Sequence, residues 1–137
     1  MALNNRDHQF RAFNVQERNE LLRFRDALNL QFGGIDFNLQ TGVAYGAILS
    51  DAGVMIGMNN AAPNTVTLPA NSSVPFPLYT EISFVQLGAG ATTIAITDDT
   101  LSVESALTLV LAGQYAVATA KKVAATQWVL FGNLTAA

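Results

Sequence analysis

The sequence predicts a mainly β protein: an antiparallel, jelly-roll-like β-sandwich body over residues 35–137, preceded by a short N-terminal arm and helix over residues 1–34. Three observations point there. From Ile35 onward, short β-branched and aromatic runs alternate with clusters of Gly, Asn, Asp, Ser and Pro, the pattern of strands joined by turns. All five arginines lie within the first 25 residues, and ten of the 17 charged side chains within the first 36. The chain is 50% apolar and only 12% charged, about half the charge of an ordinary globular domain. A charged arm and a charge-poor body are physically different parts, and that division suits a protein that assembles.

Residues 1–13 mix polar and apolar side chains without a clear period, so an extended arm is expected. Phe10 and Phe13 on such an arm need a receiving surface, either a partner's or the body's own. A helix follows. Asn14 is its cap, and Glu17 three residues later completes a variant of the capping box. Leu21, Phe24 and Leu28 recur at i, i+3, i+7 with Leu22 beside them, and Gly33-Gly34 ends the helix. Glu20–Arg23 and Arg23–Asp26 are pairs of opposite sign that add only a few tenths of a kcal/mol each. The apolar stripe is too short for a coiled coil and must pack on something else. Arg6, Arg11, Arg18, Arg23 and Arg25 are balanced by Asp7, Glu17, Glu20, Asp26 and Asp36. With a net charge of −3 and a zwitterionic arm, the chain reads as protein-docking, with no basic tract for nucleic acid.

In the body, Phe37-x-Leu39, Thr65–Leu68, Glu81–Leu87, Thr92–Thr97, Leu107–Leu111 and Gln127–Phe131 read as strands among about eight. Tyr115–Ala120 joins them, since Gly113 precedes it and Tyr, Val and Thr interleave its alanines. The expected core draws on Ile82, Phe84, Val85, Ile94, Ile96, Leu109, Leu111, Val129 and Leu130. Pro75 and Pro77 flank Phe76, which marks an edge or a loop crossing between sheets. Gly88-Ala89-Gly90 reads as a hairpin turn, Asp98-Asp99 as a tight turn, and Lys121-Lys122 as a surface turn or strand end. No repeat of 20–50 residues is visible, so a solenoid or propeller is not expected.

Chemistry is sparse. There is no cysteine, which removes disulfides, thiol catalysis and thiolate metal sites together. His8 is the single histidine, so neither a Ser-His-Asp triad nor a histidine-rich metal site is available. Glu81 and Glu104 have nothing that fixes a glycosidase spacing, and Asp98-Asp99 alone falls short of the six to eight oxygens of a calcium site. Trp128, Tyr45, Tyr79 and Tyr115 are the rings that could stack on a sugar, although Trp128 sits between apolar residues and suits the core. The expectation is no enzyme, no cofactor and no metal. No apolar leader or membrane-length run is present, so a soluble protein made in the cytoplasm is expected.

Several phrases together resemble a β-rich module of tailed-bacteriophage virion proteins: Leu49–Gly53, Asn59-Asn60-Ala61, Val66–Val74, Val85–Gly90, Gly113–Thr119 and Gln127–Gly132. Such modules occur in trimeric capsid cement (decoration) proteins and at the distal ends of tail spikes and fibres. Only about 36 residues precede the module here, which is closer to a cement protein than to a spike with its long shaft. The resemblance implies a homotrimer on the outer capsid surface that reinforces the head by bridging subunits of the major capsid protein. Its capsid-docking arm would use Arg6, Phe10, Arg11, Phe13 and Arg18. The alternative it implies is a small receptor- or carbohydrate-binding module of a tail spike or fibre, with a host surface glycan as partner. Neither reading involves nucleic acid or a membrane.

Overall fold

Alternating side chains force each strand of the body to present one row inward and one outward, and the inward rows here build a core between two sheets. The computed structural model of the protein describes residues 16–21, 23 and 35–137. The chain divides into two compact units, residues 1–35 and 36–137. In the first, residues 16–21 and 23 are helical and exposed, within the span expected for the helix. Asn14, Leu22, Phe24, Leu28 and the Gly33-Gly34 stop lie outside the described residues.

The second unit is mainly β, with two sheets, as expected. Its strands are β1 (Phe37–Gln40), β2 (Ala44–Gly46), β3 (Met55–Met58), β4 (Asn64–Leu68), β5 (Glu81–Gln86), β6 (Thr92–Ile96), β7 (Thr100–Val103), β8 (Leu107–Leu111), β9 (Val117–Ala124), β10 (Gln127–Gly132) and β11 (Leu134–Ala136). Sheet A runs β1-β3-β5-β9-β10-β7, and sheet B runs β11-β8-β6-β4-β2.

The pairing corrects the expectation of an antiparallel ladder. The β1-β3-β5 and β2-β4-β6 contacts are all parallel, as is β10-β7. The antiparallel pairs are β5-β9, β9-β10, β6-β8 and β8-β11. The reason is the path of the chain. Its first six strands alternate between the sheets, so they wind as three stacked coils in the manner of a solenoid. Phe37 stacks on Met55, 18 positions on, and Met55 on Ser83, 28 positions on. Unequal coils leave no fixed sequence period, which is why the winding was not expected.

Backbone hydrogen bonds run around the coil corners as well as along the strands. Asn59 N–H donates to Gln40 O at 2.8 Å, Thr65 N–H to Val43 O at 3.0 Å, Leu87 N–H to Met58 O at 2.8 Å and Gly90 N–H to Asn60 O at 3.0 Å. Gly88-Ala89-Gly90 is therefore a corner between sheets, not a hairpin. A Cβ on Gly88 would lie 2.2 Å from Asn60 O, and one on Gly90 1.9 Å from Ala62 O, so the corners stack too closely for side chains. Asn64, Thr92 and Gln86 line the buried side of these corners. Thr92 Oγ1 donates to Asn64 Oδ1 at 2.7 Å, and Gln86 Oε1 accepts from Thr92 N–H at 3.3 Å.

The core holds Ile82, Phe84, Ile94, Leu111 and Leu130 as expected, together with Ile56, Met58, Val66, Leu68, Phe76 and Trp128. Ile96 and Leu109 pack on its margin and are only partly buried. Val85 is buried as expected, although it lies on the outward row of β5. Val129 corrects the expected core, because it belongs to the outward row of β10 and is only partly buried. The Pro75-Phe76-Pro77 segment lies between β4 in one sheet and β5 in the other, the crossing that its prolines predict. Phe76 is buried edge-on against Trp128, with ring centroids 5.6 Å apart.

Candidate interaction face

Strand register fixes which side chains share the outer face of each sheet. On sheet A one lateral row is Leu39–Gly57–Val85–Val117. The next is Phe37–Met55–Ser83–Thr119–Phe131, and the third is Glu81–Lys121–Val129–Ser102. The first row is apolar throughout. The second has a phenylalanine at each end and a Ser83–Thr119 hydroxyl contact of 2.9 Å at its centre. The third carries the face's charges, and Lys121 Nζ lies 3.1 Å from Glu81 Oε1, so they neutralise one another.

Phe37 is 52% exposed, Leu39 52% and Phe131 49%, which makes this an open apolar surface. Gly57 helps to flatten it. A Cβ there would fall 2.3 Å from Phe37 Cζ and 3.0 Å from Leu87 Cδ1, so the two side chains converge over the glycine.

Strand β1 accounts for much of this surface. Its sequence Phe-Asn-Leu-Gln places the apolar residues outward and Asn38 and Gln40 inward, the reverse of β3 and β5. The cause is a polar cluster that closes the core at the first coil. Asp51 is buried, and its carboxylate accepts from Asn38 Nδ2 at 2.8 Å, from the Tyr45 hydroxyl at 2.7 Å and from Ile48 N–H at 2.9 Å. Gln40 Nε2 donates to Asn38 Oδ1 at 2.7 Å. Burial, followed by the hydrogen bond to Asp51, holds the Tyr45 hydroxyl above the ordinary tyrosine range, and the Asn38 contact opposes this. No buried side-chain nitrogen or oxygen among the described residues lacks a partner, so the cluster is a structural plug.

Lys122 corrects the surface reading of the lysine doublet. Both lysines lie within β9; Lys121 points outward and Lys122 inward, where it is 2% exposed. Its ammonium donates to Asn71 Oδ1 at 2.6 Å and to Phe76 O at 2.7 Å, and sits 6.0 Å from the centre of the Trp128 ring. Asn71 N–H in turn donates to Asp99 Oδ2 at 2.8 Å. The amine pins the proline-flanked crossing over the sheet. Alternation alone places Lys122 beside Ala118 and Ala120, a signal available in the sequence that the doublet's polarity hid.

Of the expected docking residues, Arg18 is helical and exposed. Arg6, Phe10, Arg11 and Phe13 lie outside the described residues. Glu81 is occupied by Lys121, while Glu104 accepts from Ser105 Oγ at 3.2 Å beyond the end of β7. Asp98 has a left-handed backbone, φ 57°, in the tight β6–β7 turn expected for the acidic pair. No group of three or more metal-ligating side chains occurs among the described residues. No described helix is long and apolar enough to cross a membrane.

Two tyrosines are displayed in an unusual way. Thr80 N–H donates to Pro77 O and Ala116 N–H to Gly113 O, closing turns whose third residues are Tyr79 and Tyr115. Their φ angles are 69° and 68°, at a position where glycine is the ordinary choice. The rings are 64% and 70% exposed. Neither a protein-family model nor a curated protein sequence matches the chain.

Proposed function

We propose that the protein is a virion structural protein: a capsid decoration, or cement, protein that reinforces the head by bridging capsid subunits as a homotrimer. The observation that carries this reading is the outer face of sheet A, which is apolar, internally neutral and half-exposed at Phe37, Leu39 and Phe131. A face of that kind serves contact with protein better than contact with water or a small polar substrate. The sequence adds a second support, since the arginines are confined to the arm and leave the charge-poor body to self-association. On this reading the arm, with Arg6, Phe10, Arg11, Phe13 and Arg18, binds the major capsid protein on the outer surface of the particle.

The test is co-sedimentation with decoration-free phage heads. Full-length protein is expected to bind, and protein lacking residues 1–13 is expected to stay in the supernatant as intact trimers. Full occupancy by the truncated form would overturn the role of the arm.

Tyr79 and Tyr115 favour a second reading, a receptor- or carbohydrate-binding module of a tail spike or fibre. Each ring is held outward on a left-handed turn residue, a conformation that costs roughly 1–3 kcal/mol and tends to persist where function uses it. A glycan array separates the readings. Binding lost on Tyr79→Ala or Tyr115→Ala would favour the receptor module.

A further inference from the structure

We infer that the homotrimer closes through the outer face of sheet A, head to tail, with Phe37 of one copy packed against Phe131 of the next. This inference rests on the trimeric reading above and adds to it the surface and the pairing. Four features of the face argue for a second copy of this chain as its occupant.

The first is charge. Glu81 and Lys121 neutralise each other, and the rows beside them hold no other ionisable side chain. A charged partner has nothing to grip there, whereas an equally neutral face fits without stranding a charge.

Size is the second. Six strands at about 4.8 Å spacing span about 24 Å across the ladder. With the strand length, that gives a face of several hundred Å², in the range that marks association surfaces and toward the roughly 800 Å² per partner of a stable interface.

Third comes the contrast with the opposite side of the sandwich. The outer rows of sheet B are Ala44–Thr65–Thr93–Val110 and Gly46–Thr67–Ala95. Small and hydroxyl-bearing residues dominate them, as suits a sheet face left in water.

The fourth feature sets the symmetry. The row Phe37–Met55–Ser83–Thr119–Phe131 has its aromatic anchors at opposite ends, on edge strand β1 and on β10, four strand spacings or about 19 Å apart. Two different apolar ends separated by a hydroxyl pair suit a heterologous contact, in which one end meets the other end of a neighbour. Three such contacts close a ring. A self-matching twofold contact would instead set each phenylalanine against its own counterpart.

The absence of cysteine in the chain makes the pairing directly testable. Phe37→Cys, Phe131→Cys and the double variant are oxidised at micromolar concentration and run on denaturing gels without reductant. Within one copy the two positions are too far apart for a disulfide, which needs Cα atoms within roughly 7 Å. The double variant is expected to give covalent dimers and trimers, and each single variant only monomers. Covalent dimers of a single variant would overturn the head-to-tail arrangement. Phe131→Glu is the companion measurement, because the ring is half-exposed and its loss leaves the core intact. It is expected to convert trimer to monomer in light scattering. A trimer that survives Phe131→Glu, with no cross-link in the double variant, would overturn this interface while leaving the trimer itself in place. A wild-type monomer would overturn both.

Discussion

On the outside of sheet B, Thr65, Thr67, Thr93, Thr108 and Thr135 stand among alanine, glycine and a single valine, and Thr108 and Thr135 bring their hydroxyls together. On the outside of sheet A, Phe37, Leu39, Met55, Val85, Val117, Val129 and Phe131 surround Gly57, the Ser83–Thr119 hydroxyls and the Glu81–Lys121 pair. Both sheets share one core, and both include a run of three parallel strands from the same winding. Backbone architecture therefore does not explain the difference. It lies in the outward rows alone, where fold stability leaves the residue choice most free. On the reading proposed above, what differs there reports on surroundings: one side meets water, and the other meets protein.

That comparison presupposes a core indifferent to either face, and the largest expected effects lie in the core. Trp128→Ala should lower unfolding free energy by about 3–5 kcal/mol, as for other large buried aromatics. Leu111→Ala should cost about 2–5 kcal/mol, and Leu109→Ala less, because Leu109 is only partly buried. Denaturant titration measures both, and equal losses at 109 and 111 would contradict the assigned inward packing.

Next in size is the corner between coils. A methyl group on Gly90 meets the Ala62 carbonyl, a backbone atom with little freedom to retreat. Gly90→Ala should cost about 3 kcal/mol or more, at the upper end for overpacking. The same change at Gly57 should cost far less, because the obstructing atoms are the ends of the Phe37 and Leu87 side chains. It should weaken self-association instead, by lifting the Phe37 ring out of the plane of the face. Thermal melts and light scattering on the two variants separate these outcomes.

The polar plug predicts a smaller, pH-dependent effect. Tyr45 has a raised pKa in the folded protein, so the folded state holds its proton more tightly than the unfolded state does. The stability contributed is fully present below about pH 10, the unfolded value, and is lost as pH rises through the folded value. Tyr45→Phe should flatten that alkaline decline in chemical-denaturation midpoints. An unchanged decline would place its origin elsewhere.

Much of the fold was legible from the residues, and the gaps have physical causes. Strands β4, β5, β6, β8 and β10 follow from period-2 alternation in β-branched residues. Trp128 was expected in the core and is there. The parallel winding was hidden because its coils differ by ten residues, 18 against 28, so no period repeats. The face presented by Phe37 and Leu39 was hidden for a different reason. Alternation places two residues on one side of a strand and says nothing of which side. Here that choice is made by Asp51, a distant carboxylate that draws Asn38 inward. The candidate face was illegible because its rows join neighbours as far as 40 positions apart (Glu81 to Lys121), and only strand register assembles them.

The smallest effect on folding carries the largest consequence for the comparison. Val117→Lys on sheet A and Thr93→Lys on sheet B each place one charge on an outer row, and each should shift stability by no more than about 0.5 kcal/mol in the isolated chain. Light scattering at neutral pH and micromolar concentration then reads the two faces against each other. Wild type and Thr93→Lys should show three times the 14.6 kDa chain mass, and Val117→Lys should show one. A wild-type monomer, or a Val117→Lys trimer as stable as wild type, would contradict the claim that the face of sheet A is covered by further copies of the chain.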